Sequence, residues 1–415
     1  MSKFLIGAAT APHQVEGNNI HSDYWVQEHL TCSPFMEPSG ITCDHYNRYE
    51  EDIKLLAEAG LNAYRFGIEW ARIQPERDKW DESEIEHYRK VLLCCKKYGV
   101  EPIVTLHHFT SPKWVISLGG WESEEVIEHF AKYSKKVVEE LGELMTYVCT
   151  INEANMGLQL AAIAKDIMKM IMSGVQVGIN FNANMEERKK YAEAEKQAFG
   201  CDKANVFVSE RTEKGDEIVI RAHMAAKAAI KSVRPELKVG ITLSLHDFQA
   251  VDGGEENVAK EWDMEFAHYL PFIQDDDFLG VQNYTRKIIG KEGNIKPSKE
   301  ARLTQMGYED YPQGIGNVLR KVAKDFKNEI LVTENGIATE DDGRRIEFIK
   351  EAVDGVLKAK AAGIPVNGYI HWTLMDNYEW QKGFGPKFGL IEIDRKTMDR
   401  KPKASLKYLG SIKVK

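Results

Sequence analysis

ILVTENGIATEDDGRRIEFIKEAVDGVLKAKAAGIPVNGYI, residues 330–370, holds one complete strand–helix–strand unit. Ile330 to Thr333 and Val366 to Ile370 are short β-branched and apolar runs of the length of buried strands. Between them, Ile346 to Ala361 repeats apolar residues at helical spacing after a start at Gly343, and Gly363 stands where a left-handed C-cap is wanted. Strands joined through a helix of this length pair in parallel.

The same rhythm runs through the rest of the chain. Six further strands are predicted, Phe4 to Ala9, Ala63 to Ile68, Pro102 to Leu106, Tyr147 to Ile151, Val239 to Leu243 and Phe278 to Val281. Helical patterns fill Glu50 to Ala59, Ser83 to Tyr98 and Glu124 to Leu141; Ser83 with Glu86 reads as a cap for the second, and Gly60 and Gly99 follow as stops. Eight strands with intervening helices and no Pro/Ser/Gly-rich linker predict an α/β fold, one closed (β/α)8 TIM barrel over residues 1–415 with its active site at the C-terminal ends of the strands. Met156 to Asp216 and Asn283 to Gln313 are the least regular parts and read as long barrel loops.

Composition removes several function classes. With 43% hydrophobic and 29% charged residues the 415-residue chain is neither disordered nor fibrous. Its 55 basic against 64 acidic side chains leave a net charge of −9, which repels phosphate backbones and anionic membranes, so nucleic acid and membrane are not expected partners. Six cysteines without a CxxC pair suit reduced thiols in the cytoplasm, and no apolar stretch is long enough to span a bilayer. Phe4 to Ala11 behind Lys3 reads as a first core strand rather than a secretory segment. Assembly into a homo-oligomer is compatible with all of this.

The chemistry stands at the strand ends. His13, Gln14 and Glu16 follow the first strand, Glu69 and Trp70 the second, which itself carries Arg65, and His107, His108 and Phe109 the third. Asn152, Glu153 and Asn155 follow the fourth, Gln282, Asn283 and Tyr284 the sixth, Glu334 and Asn335 the seventh, and His371, Trp372, Asp376, Asn377, Glu379 and Trp380 the eighth. Brought to one mouth, carboxylates, amides and flat indoles make a sugar site, since amides and carboxylates bind hydroxyls and aromatic faces cover the C–H side of a pyranose. A phosphate site would want a Gly-rich loop with Lys or Arg, which is absent. Glu153 in TINEAN and Glu334 in VTENG lie past non-adjacent strands and can flank a glycosidic bond; their separation decides between retention and inversion.

At this point the sequence resembles the family-one glycoside hydrolases, the retaining β-glucosidases, β-galactosidases and their 6-phospho relatives. The likeness covers FLIGAATAPHQVEG (4–17), CDHYNRYEEDI (43–53), NAYRFGIEWARIQP (62–75), VTLHHF (104–109), TINEAN (150–155), VTENG (332–336), GYIHWTLMDNYEW (368–380) and GFGPKFGL (383–390). It implies a double displacement with Glu334 as nucleophile and Glu153 as acid, then base. Arg65 and Tyr284 would stabilise ionised Glu334, and Asn152 would bond the sugar 2-hydroxyl. Sugar recognition would fall to Gln14, His108, Gln282, Glu379 and Trp380, with Trp372 beneath the ring and Phe388 at its edge. Glu379 would repel a 6-phosphate, so the resemblance favours unphosphorylated β-glucosides or β-galactosides, as small molecules or oligosaccharides. A 6-phospho-β-glycosidase and a non-catalytic sugar-binding barrel are the alternatives. No cofactor and no metal is implied, because two carboxylates suffice.

Three residues depart from the family pattern: Ala154 replaces a proline and loosens the backbone at Glu153, Gln282 replaces Asn, and Phe109 replaces Trp. MGLQLAAIAKDIMKMIM after Asn155 replaces the usual leaving-group lining, its Met and Ile positions reading as core. His107 reads as structural, Glu69 as part of an ion-pair network with Arg65, and His45 with Asp44 as hydrogen-bonded rather than metal-binding. Trp114 and Trp121 either line the mouth or pack loops.

Overall fold

The structure, a computed structural model, describes residues 3–164 and 184–414. Eight strands, β1 (Leu5–Ala9), β2 (Ala63–Gly67), β3 (Glu101–His107), β4 (Tyr147–Ile151), β5 (Lys238–Ser244), β6 (Phe278–Gln282), β7 (Glu329–Glu334) and β8 (Val366–Trp372), form a closed barrel. Neighbours in the barrel follow chain order, β8 closes on β1, and every pairing is parallel. The strands are buried on both faces, which is why they read as continuous apolar runs rather than alternating ones. Burying each Val, Leu or Ile in them contributes about 1.5–3 kcal/mol.

All eight expected strands are present, displaced by at most two residues at an end. The glycine stops also hold, with φ of 100° at Gly60, 67° at Gly99 and 88° at Gly363. Helix starts needed correction. Asp81, not Ser83, caps the helix Glu82–Lys97, accepting from the N–H groups of Ser83 and Glu84. The helix Asp342–Ala361 begins one residue before the expected start at Gly343, the Asp341 carboxylate accepting from the Arg344 N–H.

The two long loops differ from expectation in one respect. Asn283 to Gln313 is not merely turns: Arg286–Gly290 pairs in parallel with Asp247–Ala250 and antiparallel with Gly293–Ile295. This three-stranded sheet joins the loops that follow β5 and β6 above the barrel. In the other loop, Met156 and Leu160 on the helix Met156–Ala164 are buried as core. The expected core positions Ile167, Met168, Met170, Ile171 and Met172 lie outside the described residues.

The chain's end is tied to its beginning by a buried ion pair. Arg400 donates to both oxygens of Asp52 at 2.7 and 2.9 Å, and His45 bonds the same carboxylate at 2.7 Å. This clamps the helix His45–Glu58 to the C-terminal strand Arg400–Pro402. His45 also meets the Tyr64 hydroxyl at 3.1 Å, so its role is structural bonding. Asp52→Asn leaves Arg400 buried without its counter-ion and is expected to cost about 3–5 kcal/mol in urea unfolding at neutral pH. A cost under about 1 kcal/mol would show that the clamp does not hold the two ends together.

Candidate active site

β4 and β7 carry the two carboxylates to the same mouth. Glu334 is the last residue of β7, where the register against β6 shifts between Val332 and Glu334, so that Gln282 becomes its Cα partner. The shift turns Gln282 Nε2 onto Glu334 Oε1 at 3.0 Å. Two residues on, a Cβ at Gly336 would stand 2.0 Å from the Trp372 carbonyl oxygen, so only glycine permits β7 and β8 to run so close here.

Glu153 lies two residues beyond β4 with φ of 43°, a left-handed conformation that costs a non-glycine residue energy. Its surroundings enforce it. The Glu153 N–H donates to Thr242 Oγ1 at 2.9 Å and the Ala154 N–H to the Thr242 carbonyl at 3.1 Å, while the Asn152 N–H reaches the His107 carbonyl at 2.8 Å. Ala154 was expected to loosen this backbone; it instead supplies an N–H that proline lacks and uses it to pin the turn to β5.

Arg65, on β2, is the hub beneath the carboxylates. It is fully buried, and Nη1 meets Glu334 Oε1 at 2.5 Å while Nη2 donates to Asn152 Oδ1 at 2.6 Å. The Tyr284 hydroxyl donates to Glu334 Oε2 at 2.6 Å. Gln282 Nε2 also donates to Asn152 Oδ1 at 2.7 Å, and Asn152 Nδ2 donates to His108 Nε2 at 3.1 Å. The Asn152 amide is thereby fixed in orientation, and neutral His108 carries its proton on Nδ1.

The two carboxylates sit in different fields. Burial pushes Glu153 well above the usual carboxylate range, and the charge of Glu334 pushes it further. Burial raises Glu334 too, but the Arg65 guanidinium and the Tyr284 and Gln282 donors oppose it. Glu334 is therefore the stronger acid of the pair. His108 is held neutral by burial and by Arg65.

These groups open on a cavity lined by Asn152, Glu153, Tyr284, Glu334 and Glu379, with His108, Phe109, Trp372, Trp380 and Phe388 as its aromatic walls. His108 stacks between Trp372 and Trp380, centroids 5.6 and 5.9 Å away, and Phe388 meets Tyr284 edge-on at 6.1 Å. Three expected site residues stand behind this lining. Arg65 and Gln282 support the carboxylates from below, and Gln14 bonds Glu379 Oε2 at 3.3 Å and the Tyr378 carbonyl at 2.8 Å. Phe109 fills the place of an indole by packing on Trp380 at 5.1 Å.

The other strand-end residues sort by contact. His107 bonds Ser111 and packs against Trp121 and Phe207, away from His108. Trp114 donates to the Gln74 carbonyl and Trp121 to Ser111, so both pack loops. Glu69 was expected to pair with Arg65 and does not: it lies past the end of β2, caps the helix Trp70–Ile73 through the Ala71 N–H and accepts from Thr110. Burial pushes it up to about 6. Tyr308 escaped the sequence reading; it is buried beside Tyr284, and nothing in its polar loop marked it.

The profile of Glycosyl hydrolase family 1 matches residues 1–166 and 166–415. Among solved structures, β-glycosidase BGL167 is 43% identical, with 98% of this chain and 95% of that chain covered and a TM-score of 0.89. β-Glucosidase A of Thermotoga maritima is 27% identical over 465 residues, covering 99% of this chain and 96% of that protein. 6-Phospho-β-galactosidase 1 of Streptococcus pneumoniae is 27% identical over 501 residues, covering 99% and 97%.

The Arg65 hub makes a prediction about stability. In Arg65→Met, Glu334 loses its cation and its folded-state pKa rises further above the unfolded value. A carboxyl raised on folding costs stability once the pH exceeds its unfolded pKa, and the cost grows until the folded pKa is passed. Urea unfolding is expected to show a loss of about 3–5 kcal/mol at pH 8 and a smaller one at pH 5. An equal loss at both would mean that Arg65 does not neutralise Glu334.

Proposed function

The chain belongs to glycosyl hydrolase family 1, and on that premise we propose that it is a retaining β-glycosidase releasing a terminal sugar from unphosphorylated β-glucosides or β-galactosides. The observation that carries the reading is the inequality of the two buried carboxylates: Glu334 has a guanidinium, a phenol and an amide on it, and Glu153 has the charge of Glu334 against it. We take residues 1–415 as one catalytic unit. Six thiols, none in a disulfide, support a reducing, cytoplasmic setting.

In the first step Glu334 attacks the anomeric carbon while Glu153 gives its proton to the glycosidic oxygen, and the leaving group departs as an alcohol. Esterified Glu334 carries no charge, so the repulsion that kept Glu153 protonated disappears. Glu153 then takes a proton from water, whose oxygen attacks the anomeric carbon and frees Glu334. Arg65 and Tyr284 receive the carboxylate back. Asn152, held by Arg65 and Gln282, presents Nδ2 to the sugar 2-hydroxyl. Gln14 Oε1 and His108 Nδ1, buried without partners among the described residues, are suited to sugar hydroxyls.

The 6-phospho reading has the likeness to the Streptococcus pneumoniae protein in its favour. Against it stands Glu379, buried in the cavity wall, whose charge would oppose a phosphate dianion bound there.

Proton NMR during hydrolysis of aryl β-glucoside, aryl β-galactoside and the 6-phosphate analogue tests the proposal. The β-anomer is expected first, from an unphosphorylated substrate. An α-anomer first would mean inversion, turnover of the phosphorylated substrate alone would favour the second reading, and binding without turnover would leave a sugar-binding barrel. Glu153→Ala should slow substrates with poor leaving groups far more than activated aryl ones; equal losses would remove its role as acid. Tyr284→Phe takes a donor from Glu334 and raises its pKa, so the acidic limb of the kcat/KM profile should move up by about one to two pH units. An unmoved limb would detach that limb from Glu334.

A further inference from the structure

The end of β5 runs alongside the turn that carries Glu153. Thr242 and Ser244 are two residues apart on that strand and so face the same way. Thr242 Oγ1 already serves the site, accepting from the Glu153 N–H at 2.9 Å and donating to Asn152 Oδ1 at 3.2 Å. Ser244, fully buried, stands one step nearer the mouth, opposite Gln282 in the register with β6.

Asn155 holds Ser244 there. Its Oδ1 accepts from the Ser244 N–H at 3.0 Å, and its Nδ2 donates to the Ser244 carbonyl at 2.7 Å and to the Glu265 carbonyl at 2.9 Å. Gln159 Nε2 donates to the same Ser244 carbonyl at 2.9 Å. One amide bound to both backbone groups of a residue fixes the direction of its side chain. Burial and then the charge of Glu334 disfavour the ionised Glu153 carboxyl; the Ser244 hydroxyl, hydrogen-bonded to it, favours that form, ahead of Arg65. Glu153 is faced as well by Glu379 from beyond β8 and by the phenols of Tyr284 and Tyr308 from beyond β6. His246 and Glu265, behind Asn155, pair with each other at 2.7 Å. A hydroxyl both donates and accepts, so Ser244 can stay bound to the carboxyl through loss and return of its proton.

We propose that Ser244 is a positioning residue for the acid: its hydroxyl, aimed by Asn155, steadies the Glu153 carboxyl while it protonates the leaving group, then donates to the carboxylate until it takes a proton from water. The proposal rests on the glycosidase reading and assigns to β5 a part in both of its steps.

Ser244→Ala and Ser244→Thr test it through the pH profile of kcat/KM, on a β-glycoside whose poor leaving group needs the Glu153 proton. Without the donor, ionised Glu153 loses support and the proton is kept to higher pH. The basic limb, which reports the acid, is therefore expected to rise by about one pH unit in Ser244→Ala. It should stay at the wild-type position in Ser244→Thr, which keeps a hydroxyl on the same carbon. The acidic limb should stay in both, since Glu334 retains its own donors. Asn155→Gln shifts Ser244 without deleting its hydroxyl and should raise the basic limb in the same sense. An unmoved basic limb in Ser244→Ala, an equal rise in both Ser244 variants, or a rate loss equal at every pH would assign Ser244 to packing and overturn the proposal. Movement in Ser244→Ala with none in Asn155→Gln would overturn the part given to Asn155. A wild type that turns over no β-glycoside overturns the glycosidase reading itself, which the limb comparison cannot do.

Discussion

One buried cation organises the barrel mouth. Arg65 has no exposed surface, and its desolvation is compensated by Glu334, Asn152 and the Thr333 carbonyl, which take its N–H groups. Everything near it follows from that need. Glu334 is drawn down at the end of β7, the Asn152 amide is turned so that its oxygen faces the cation, and its nitrogen is left for His108. Charge and geometry are set together, because the group that lowers the acidity threshold of one carboxylate also positions the neighbour of the other.

Glu153 illustrates the opposite strategy. Among the described residues no cation bonds it, its backbone is held in a left-handed turn by Thr242, and burial pushes its carboxyl well above the usual range. One mouth thus separates two carboxyls by giving Glu334 a cation, a phenol and an amide, while Glu153 has the Ser244 hydroxyl in its favour and the charge of Glu334 against it. Strain at Glu153 and close approach at Gly336 both lie two residues past the end of a barrel strand.

Much of this was legible in the sequence because a barrel strand buried on both faces reads as an apolar run, and the side chains just past it must face the mouth. That logic found β1 to β8 and most of the cavity wall. It failed where the signal is not periodic. The outer strands Arg286–Gly290 and Gly293–Ile295 are short and partly exposed, so their alternation never builds up. Glu69 lies two residues beyond β2, and spacing cannot tell a residue pointing into the barrel from one already turning into a cap. Asp81 was overlooked for the same reason, since Ser83 offered an equally plausible cap. Tyr308 is distinguished only by its burial, which depends on how a polar loop folds back over Tyr284.

The three-stranded sheet above β5 and β6 carries its own ladder of backbone bonds rather than borrowing one from the barrel. Its outermost strand, Gly293–Ile295, is largely exposed, whereas the barrel strands are buried on both faces. A change in that outer ribbon therefore leaves in place the closed barrel ladder and the two carboxylates carried at its strand ends.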